Sequence, residues 1–194
     1  MARLPHKNSL IILIVFEMLA TVRRILPLVL AAMTMVMGVV SCSSQVKARQ
    51  PVSYRYEPES GVHLTRGMAF PPSNAPIAVR RAMAAANHLQ RMPYKWGGGH
   101  AQLLDSGYDC SGTVSYVLRE AGLVNGTLSS KEYFHFGDPG LGKWITIYVR
   151  KGHTFMTIAG LRLDTGGPGG RTGPRWKPQT RQVIGNVVRH PAGY

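Results

Sequence analysis

The chain has 194 residues, of which 23 are Lys or Arg and 9 are Asp or Glu, so its formal net charge is +14. This length is enough for one domain with a buried core and extensions. The charge suits an anionic partner such as nucleic acid, acidic lipid or an acidic envelope polymer, although a solvated basic surface is the simpler explanation. The basic residues are dispersed and the sequence carries no zinc-finger, helix-turn-helix or aromatic RNA-binding signature, so we predict no nucleic-acid partner.

Two apolar runs open the chain, at residues 10–16 and 25–40, and Arg23 and Arg24 precede the second. The second run is short for a membrane span, and positive residues before an apolar stretch are typical of a signal peptide. We therefore predict a signal peptide over residues 1–41 and an exported protein. Met18 is an alternative start, because it would leave a conventional short basic region before the apolar run.

The second apolar run ends in Val39-Val40-Ser41-Cys42. This ending resembles the lipobox of bacterial lipoproteins, which implies that Cys42 is lipidated and anchors the protein to a membrane of the cell envelope. Secretion without an anchor and an uncleaved anchor remain alternatives. Residues 43–74 are rich in Ser, Pro, Arg and Gln without a sustained period, so 42–74 is predicted to be the attachment cysteine and a flexible tether. The folded domain is then predicted over residues 75–194.

A first helix is predicted from Asn74, as its cap, with Pro76 in the first turn, to about Gln90. Four residues are available for its buried face: Ile77, Met83, Ala84 and Leu89. The loop at 94–100 follows, and its three consecutive glycines permit backbone conformations closed to other residues. They would allow a close approach of another backbone or of a substrate. His100 ends this loop; we favour a plain loop residue over a further site residue.

A second helix is predicted over residues 110–121, because five side chains share one helical face: Cys110, Val114, Val117, Leu118 and Ala121. Asp109 is a fair N-cap, which places Cys110 in the first turn. Four strands are predicted after it, at 144–149, 153–159, 161–165 and about 183–189, with a loop rich in Gly and Pro at 166–178. Helices followed by strands predict an α+β domain with an antiparallel sheet.

Cys110 is the only cysteine that remains if Cys42 carries lipid. A thiolate, not a thiol, is the nucleophile, and both a helix N-terminus and a nearby imidazolium lower a thiol pKa. Cys110 has the first by position, and His153, which opens a strand after a glycine turn, is the best choice for the second. We therefore interpret Cys110 as a nucleophile rather than as a buried structural thiol.

Three short motifs occur in order along the chain: Tyr94-x-Trp96-Gly97-Gly98, then Asp109-Cys110-Ser111-Gly112, then Gly152-His153. Together they resemble the NlpC family of bacterial cell-wall cysteine peptidases, over roughly residues 75 to 194. The resemblance implies a compact papain-like domain in which N-terminal helices pack on an antiparallel sheet. It also implies hydrolysis of peptidoglycan stem peptides, typically between D-glutamate, through its γ-carboxyl, and diaminopimelate.

The resemblance also implies roles for single residues. Cys110 would be the nucleophile and His153 the base that takes its proton and later protonates the leaving amine. Tyr94 would lie near the nucleophile and help to stabilise the oxyanion, while Asp109 and Ser111 would contact the amino end of the substrate. Asp109 can equally serve only as the helix cap, and both roles can hold together.

The third catalytic position is where this chain departs from the family, whose members commonly have His, Asn or Gln there. We favour Asp164, since a carboxylate can orient the imidazole and stabilise the imidazolium. Thr165 is the first alternative and would face the other side of the strand. His190, near the end of the last strand, is the second.

The remaining expectations concern partners. No cofactor is predicted, and no metal site, because the histidines are scattered without zinc-ligand spacing. The expected substrate is the peptidoglycan stem peptide, the expected membrane contact is the lipid on Cys42, and we expect a monomer. Two other activities remain open: a related thiol amidase or acyltransferase, and a non-catalytic envelope lipoprotein that binds cell wall.

Overall fold

The computed structural model describes residues 53–57, 60–166 and 172–194. The predicted signal peptide at 1–41, the alternative start Met18 and the predicted lipidation site Cys42 lie outside these ranges. The chain divides into two units, Met1–Lys47 and Ala48–Tyr194, and all described residues belong to the second. Within the described ranges, no helix has both the length and the apolar character needed to cross a membrane.

The described elements are helices α1 (Ile77–His88) and α2 (Cys110–Glu120), a short 3-10 helix (Glu132–His135), and the strands β1 (Ser53–Tyr54), β2 (His63–Thr65), β3 (Met68–Phe70), β4 (Asp138–Pro139), β5 (Ile145–Arg150), β6 (His153–Ile158), β7 (Leu161–Asp164), β8 (Arg175–Trp176), β9 (Arg181–Gln182) and β10 (Val187–His190). Six strands form the main sheet in the order β4-β10-β5-β6-β7-β8, and neighbouring strands are antiparallel. Helix α2 packs on β6 and on α1. The predicted α+β class, with helices packed on an antiparallel sheet, is confirmed.

Helix α2 forms where its sequence predicts it. Asp109 is the N-cap, and its side chain accepts a hydrogen bond from the N–H of Gly112. Val114, Val117 and Leu118 are fully buried against the sheet and α1. The helix ends at Glu120, and the left-handed Gly122 stops it, as glycine does at many helix C-termini.

Helix α1 differs from its prediction at both ends. It begins at Ile77 with Pro76 as the N-cap position and no side-chain cap, so Asn74 does not cap it. Met83 and Leu89 are fully buried as predicted, but Ile77 is 65% exposed and Ala84 is also exposed. The small side chains that complete the buried face instead are Ala78, Val79, Ala82, Ala85 and Ala86. An Ala-rich helix is apolar on several faces, so its pattern does not select one.

The tether prediction is wrong for residues 53–57 and 60–74. β1 pairs with β9, and β2 and β3 form a hairpin that packs on α1. Tyr54 and Ala69 are buried, and the Tyr54 hydroxyl donates to the carbonyl of Gly160. The strands are only two or three residues long, too short to show a period in the sequence. The fold therefore includes residues well before 75.

Candidate active site

Cys110 occupies the first position of helix α2 and is partly buried. A helix N-terminus carries partial positive charge, which favours an anion at this position. The first N–H groups of a helix have no intrahelical acceptor. The N–H groups of Gly112 and Thr113 bond to Asp109, through its side chain and its carbonyl, so those of Cys110 and Ser111 remain available to a ligand.

The glycine loop lies directly against this end of the helix. The carbonyl of Gly98 accepts from the N–H of Asp109 at 3.3 Å. A side chain on Gly112 would overlap that same carbonyl, and one on Gly98 would overlap the carbonyl of Gly107. Glycine at 98 and 112 is thus required by close approach of two backbones, the first of the two uses predicted for this loop.

Asp109 connects the loop to the helix. Its Oδ1 accepts from the N–H of Gly112 at 2.7 Å and from the Ser111 hydroxyl at 3.1 Å, and its Oδ2 accepts from the N–H of Gly97 at 3.0 Å. The side chain is 12% exposed. Most of its hydrogen-bonding capacity is therefore used within the protein, which supports the capping role predicted for it.

His100 contacts the same cluster, contrary to its interpretation as a plain loop residue. Its Nε2 lies 3.2 Å from Asp109 Oδ1 and 3.1 Å from the Ser111 hydroxyl. The only sequence signal was its place after three glycines, which does not say where the loop folds back.

His153 begins β6, next to the turn that joins β5 to β6, and is paired in register with Arg150. Its Nε2 lies 2.9 Å from Oδ1 of Asp164, the last residue of β7. Since Asp164 occupies Nε2, the ring nitrogen left for Cys110 is Nδ1. The structure thus brings Cys110, His153 and Asp164 together from α2, β6 and β7.

Asp164 is held by arginines that the sequence analysis did not select. Its Oδ2 accepts from Arg162 at 3.0 Å and from Arg181. The carboxylate is fully buried and the Arg162 side chain is 6% exposed. A charge this deeply buried is destabilising unless an opposite charge pairs with it, and Asp164 and Arg162 pair with each other.

The pKa values of the pair shift toward a thiolate and an imidazolium. Burial raises the pKa of the Cys110 thiol, but the hydrogen bond from His153, the backbone of Thr154 and the His153 charge outweigh it, so this pKa lies below its ordinary value. Burial lowers the pKa of His153, but Asp164 and Cys110 outweigh it, so this pKa is raised. Both shifts favour the charged pair.

Tyr94 lies beside this pair, on the loop side. Its backbone forms a parallel bridge with Tyr108, just before the helix. Burial, followed by the charges of Cys110 and Asp109, raises the pKa of its hydroxyl. The hydroxyl therefore stays protonated and able to donate a hydrogen bond near Cys110.

The structure gives less support to the two alternatives for the third catalytic residue, Thr165 and His190. Thr165 is buried and lines the cavity next to Asp164. Within the described part of the chain, no hydrogen bond joins its side chain to His153. His190 belongs to β10, where its neighbour Arg189 pairs with Ile147, far along β5 from the Arg150–His153 pair. Its Nδ1 lies 3.1 Å from the carbonyl of Gly140.

A cavity of about 960 Å³ opens at Cys110. Tyr94, Cys110 and His153 line it, and the rest of the lining comes from the end of β5, the turn after it, strands β7, β8 and β9, and the segments between those three strands. Five basic side chains face it: Arg150, Arg162, Arg175, Lys177 and Arg181. Among the residues that the structure describes, no group of three His, Cys, Asp or Glu side chains is placed to hold a metal ion.

The chain is similar to known proteins over part of its length. No family model matches the chain. Peptidoglycan endopeptidase RipB of Mycobacterium tuberculosis, in strains CDC 1551 / Oshkosh and ATCC 25618 / H37Rv, is 30% identical over 112 residues, covering 45% of this chain and 46% of the relative. The match therefore spans about half the length of these curated relatives.

A solved structure of the peptidoglycan hydrolase RipB from Mycobacterium tuberculosis is also similar, at 24% identity with a TM-score of 0.48. It covers 64% of this chain and 70% of that one.

Proposed function

We propose that this protein is a cysteine endopeptidase that hydrolyses peptide bonds in peptidoglycan stem peptides, on a papain-like domain of the NlpC type. The observation that carries the proposal is Cys110 at a helix N-terminus, beside a His153 that is bonded to the buried Asp164, at the mouth of a cavity. The similarity to RipB, a peptidoglycan endopeptidase, supports the substrate class.

In the first step the thiolate of Cys110 attacks the carbonyl carbon of the scissile amide, and the oxygen of that carbonyl becomes an oxyanion. The N–H of Cys110 and the Tyr94 hydroxyl are the donors available to stabilise it. The imidazolium of His153 then gives its Nδ1 proton to the leaving nitrogen, and the C–N bond breaks. The product is a thioester on Cys110 and a free amine.

In the second step water hydrolyses the thioester. Neutral His153 takes a proton from the water as it attacks, and the thiolate of Cys110 leaves. Two arginines hold the Asp164 carboxylate in place, and it fixes the His153 ring through Nε2. This is the orienting role of the acid in a triad.

We propose that the bond cleaved joins the γ-carboxyl of D-glutamate to diaminopimelate. The amino end of the stem peptide then lies near Asp109 and Ser111, on the loop side of Cys110. His100 reaches both residues and is part of the same surface. The negative charge of Asp109 suits a free ammonium there.

We further propose that the protein is exported and anchored in the bacterial envelope by lipid on Cys42, and that it acts as a monomer without a cofactor. An extracytoplasmic location is where a peptidoglycan substrate would be met. Radiolabelled palmitate incorporated into the wild type and not into Cys42→Ser would support the anchor.

The test of the activity is release of new amino termini from purified peptidoglycan. The wild type should release them, Cys110→Ala should fall to background, and Cys42→Ser should match the wild type because it keeps the pair intact. Equal release by wild type and Cys110→Ala would overturn the proposal. The masses of the products identify the bond, and would separate an endopeptidase from an amidase or an acyltransferase.

A further inference from the structure

Besides Arg162, four cations line the cavity at Cys110. Arg150, Arg175, Lys177 and Arg181 line it and are here called the basic wall. No Asp or Glu among the described residues lines this cavity. The nearest carboxylate, Asp164, is buried behind the wall and already bonded to His153, Arg162 and Arg181.

Two members of the basic wall, Arg175 and Lys177, are held by backbone carbonyls, whereas Arg181 is paired with Asp164. Arg175 donates to the carbonyl of Met92 at 3.0 Å, and the Trp176 indole donates to Asn87 at 2.8 Å, which fixes β8 to the end of α1. The N–H of Lys177 donates to the carbonyl of Arg162 at 2.8 Å, and its ammonium donates to the carbonyl of Gly166. An ammonium has three donors, so Lys177 keeps two for a ligand.

The cations repel one another across the cavity. The pKa of Lys177 is lowered, first by burial and then, against the attraction of Asp164, by the charges of Arg162, Arg181 and Arg175. An anion placed among them would relieve this repulsion and would make charge-assisted hydrogen bonds. The wall is thus built for a negatively charged group.

Groups of opposite charge lie near Cys110. Asp109, with Ser111 and His100, lies on the loop side, whereas the basic wall lies on the sheet side. A peptide that places its ammonium near Asp109 and its scissile carbonyl at Cys110 carries its next residue toward the wall. That residue is diaminopimelate in the substrate proposed above, and it bears carboxylates.

We propose that the basic wall is a subsite for a free carboxylate of the residue on the leaving side of the scissile bond, with Lys177 as its main contact. The enzyme then discriminates between stems whose diamino acid carries a carboxylate and stems in which that carboxylate is amidated. This inference rests on the proposed function for its substrate. A neutral amide cannot balance the cations, so amidation removes a charge-assisted bond while it keeps the shape.

The experiment uses two synthetic stem peptides that differ only in a carboxylate or a carboxamide on the diamino acid. The wild-type kcat/KM should favour the carboxylate by about 10- to 100-fold, the range expected for one hydrogen bond to a charged group. Lys177→Met should bring the ratio toward one, and Lys177→Arg should keep most of it. Lys143→Met, at the opposite end of β5 from Arg150, is the matched control and should keep the wild-type ratio.

Equal hydrolysis of the two peptides by the wild type, or an unchanged ratio in Lys177→Met, would overturn the subsite. If the wild type hydrolyses neither peptide, calorimetric binding to Cys110→Ala decides. Tighter binding of the carboxylate peptide would support the subsite while the proposed activity fails, and equal binding would reject the subsite too.

Discussion

Two buried carboxylates flank the Cys110–His153 pair, and their partners differ. Asp109 bonds to the N–H groups of Gly112 and Gly97 and to Ser111, all neutral donors, with His100 beside it. Asp164 bonds to His153 and to two arginines. Asp109 therefore mainly holds backbone N–H groups in place, whereas Asp164 holds a histidine and two charged arginines in place. Removing them should therefore produce different losses.

The largest effect is expected from Asp164→Ala. It leaves Arg162 buried without its partner, which costs about 3–5 kcal/mol of folding free energy, and it frees His153 to turn, which should lower kcat/KM by about 10²-fold. Denaturant unfolding and peptide hydrolysis measure the two losses. Asp138→Ala, at an exposed strand residue, is the control. Wild-type stability in Asp164→Ala would mean that the arginines do not depend on this carboxylate.

Gly112→Ala should have the next largest effect on stability, on the loop side of the site. The added methyl overlaps the carbonyl of Gly98, so the loop must move away from α2 at a cost of about 1–3 kcal/mol or more. Gly126→Ala meets no neighbouring atom, although its positive φ brings a strain of its own. Unfolding that costs no more in Gly112→Ala than in Gly126→Ala would contradict the close packing of loop and helix.

Asp109→Ala should cost about 0.5–2 kcal/mol for the lost cap, with a further loss from the unbonded N–H of Gly97. Asp109→Asn should cost less, because asparagine caps helices about as well as aspartate. Thermal unfolding at equal protein concentration ranks the three proteins. Asparagine as damaging as alanine would show that charge, and not hydrogen bonding, is what the loop requires from this residue.

Each of the two carboxylates should affect a different limb of the pH dependence of kcat/KM. The active pair needs a thiolate and an imidazolium, so activity rises through the Cys110 pKa and falls through the raised His153 pKa. Asp164→Asn removes a cause of the raised His153 pKa, so the alkaline limb moves to lower pH. Asp109→Asn removes a charge that raises the Cys110 pKa, so the acid limb also moves to lower pH. Limbs that do not move would contradict the assigned couplings.

The sequence predicted the parts of the site that lie on long, regular elements. The sequence of helix α2 has five apolar positions at helical spacing. Apolar residues alternate with more polar ones in β5 and β7, and β6 follows a glycine turn. The sequence therefore places Cys110, His153 and Asp164 each on the element that carries it. Which of Asp164, Thr165 and His190 contacts His153 was not decided by the pattern, because it depends on strand order and register.

The basic wall was missed for a different reason. Arg175 and Lys177 lie in a segment predicted as loop at 166–178, where the structure forms the two-residue strand β8. Two residues have no period, and glycine and proline around them indicate a loop. Only the contacts of β8 with β7 and α1 place these cations at the cavity, and such contacts are not visible in a single sequence.

The central claim is that Cys110 is an activated thiolate, and the pH dependence of its alkylation tests it most directly. In a Cys42→Ser background Cys110 is the only thiol, so iodoacetamide labelling followed by mass reports on it alone. The labelling rate should remain high at pH 6, well below the ordinary cysteine pKa of about 8.5, and His153→Ala should remove this excess. A rate that rises only near pH 8.5, like that of a simple thiol, would contradict the account.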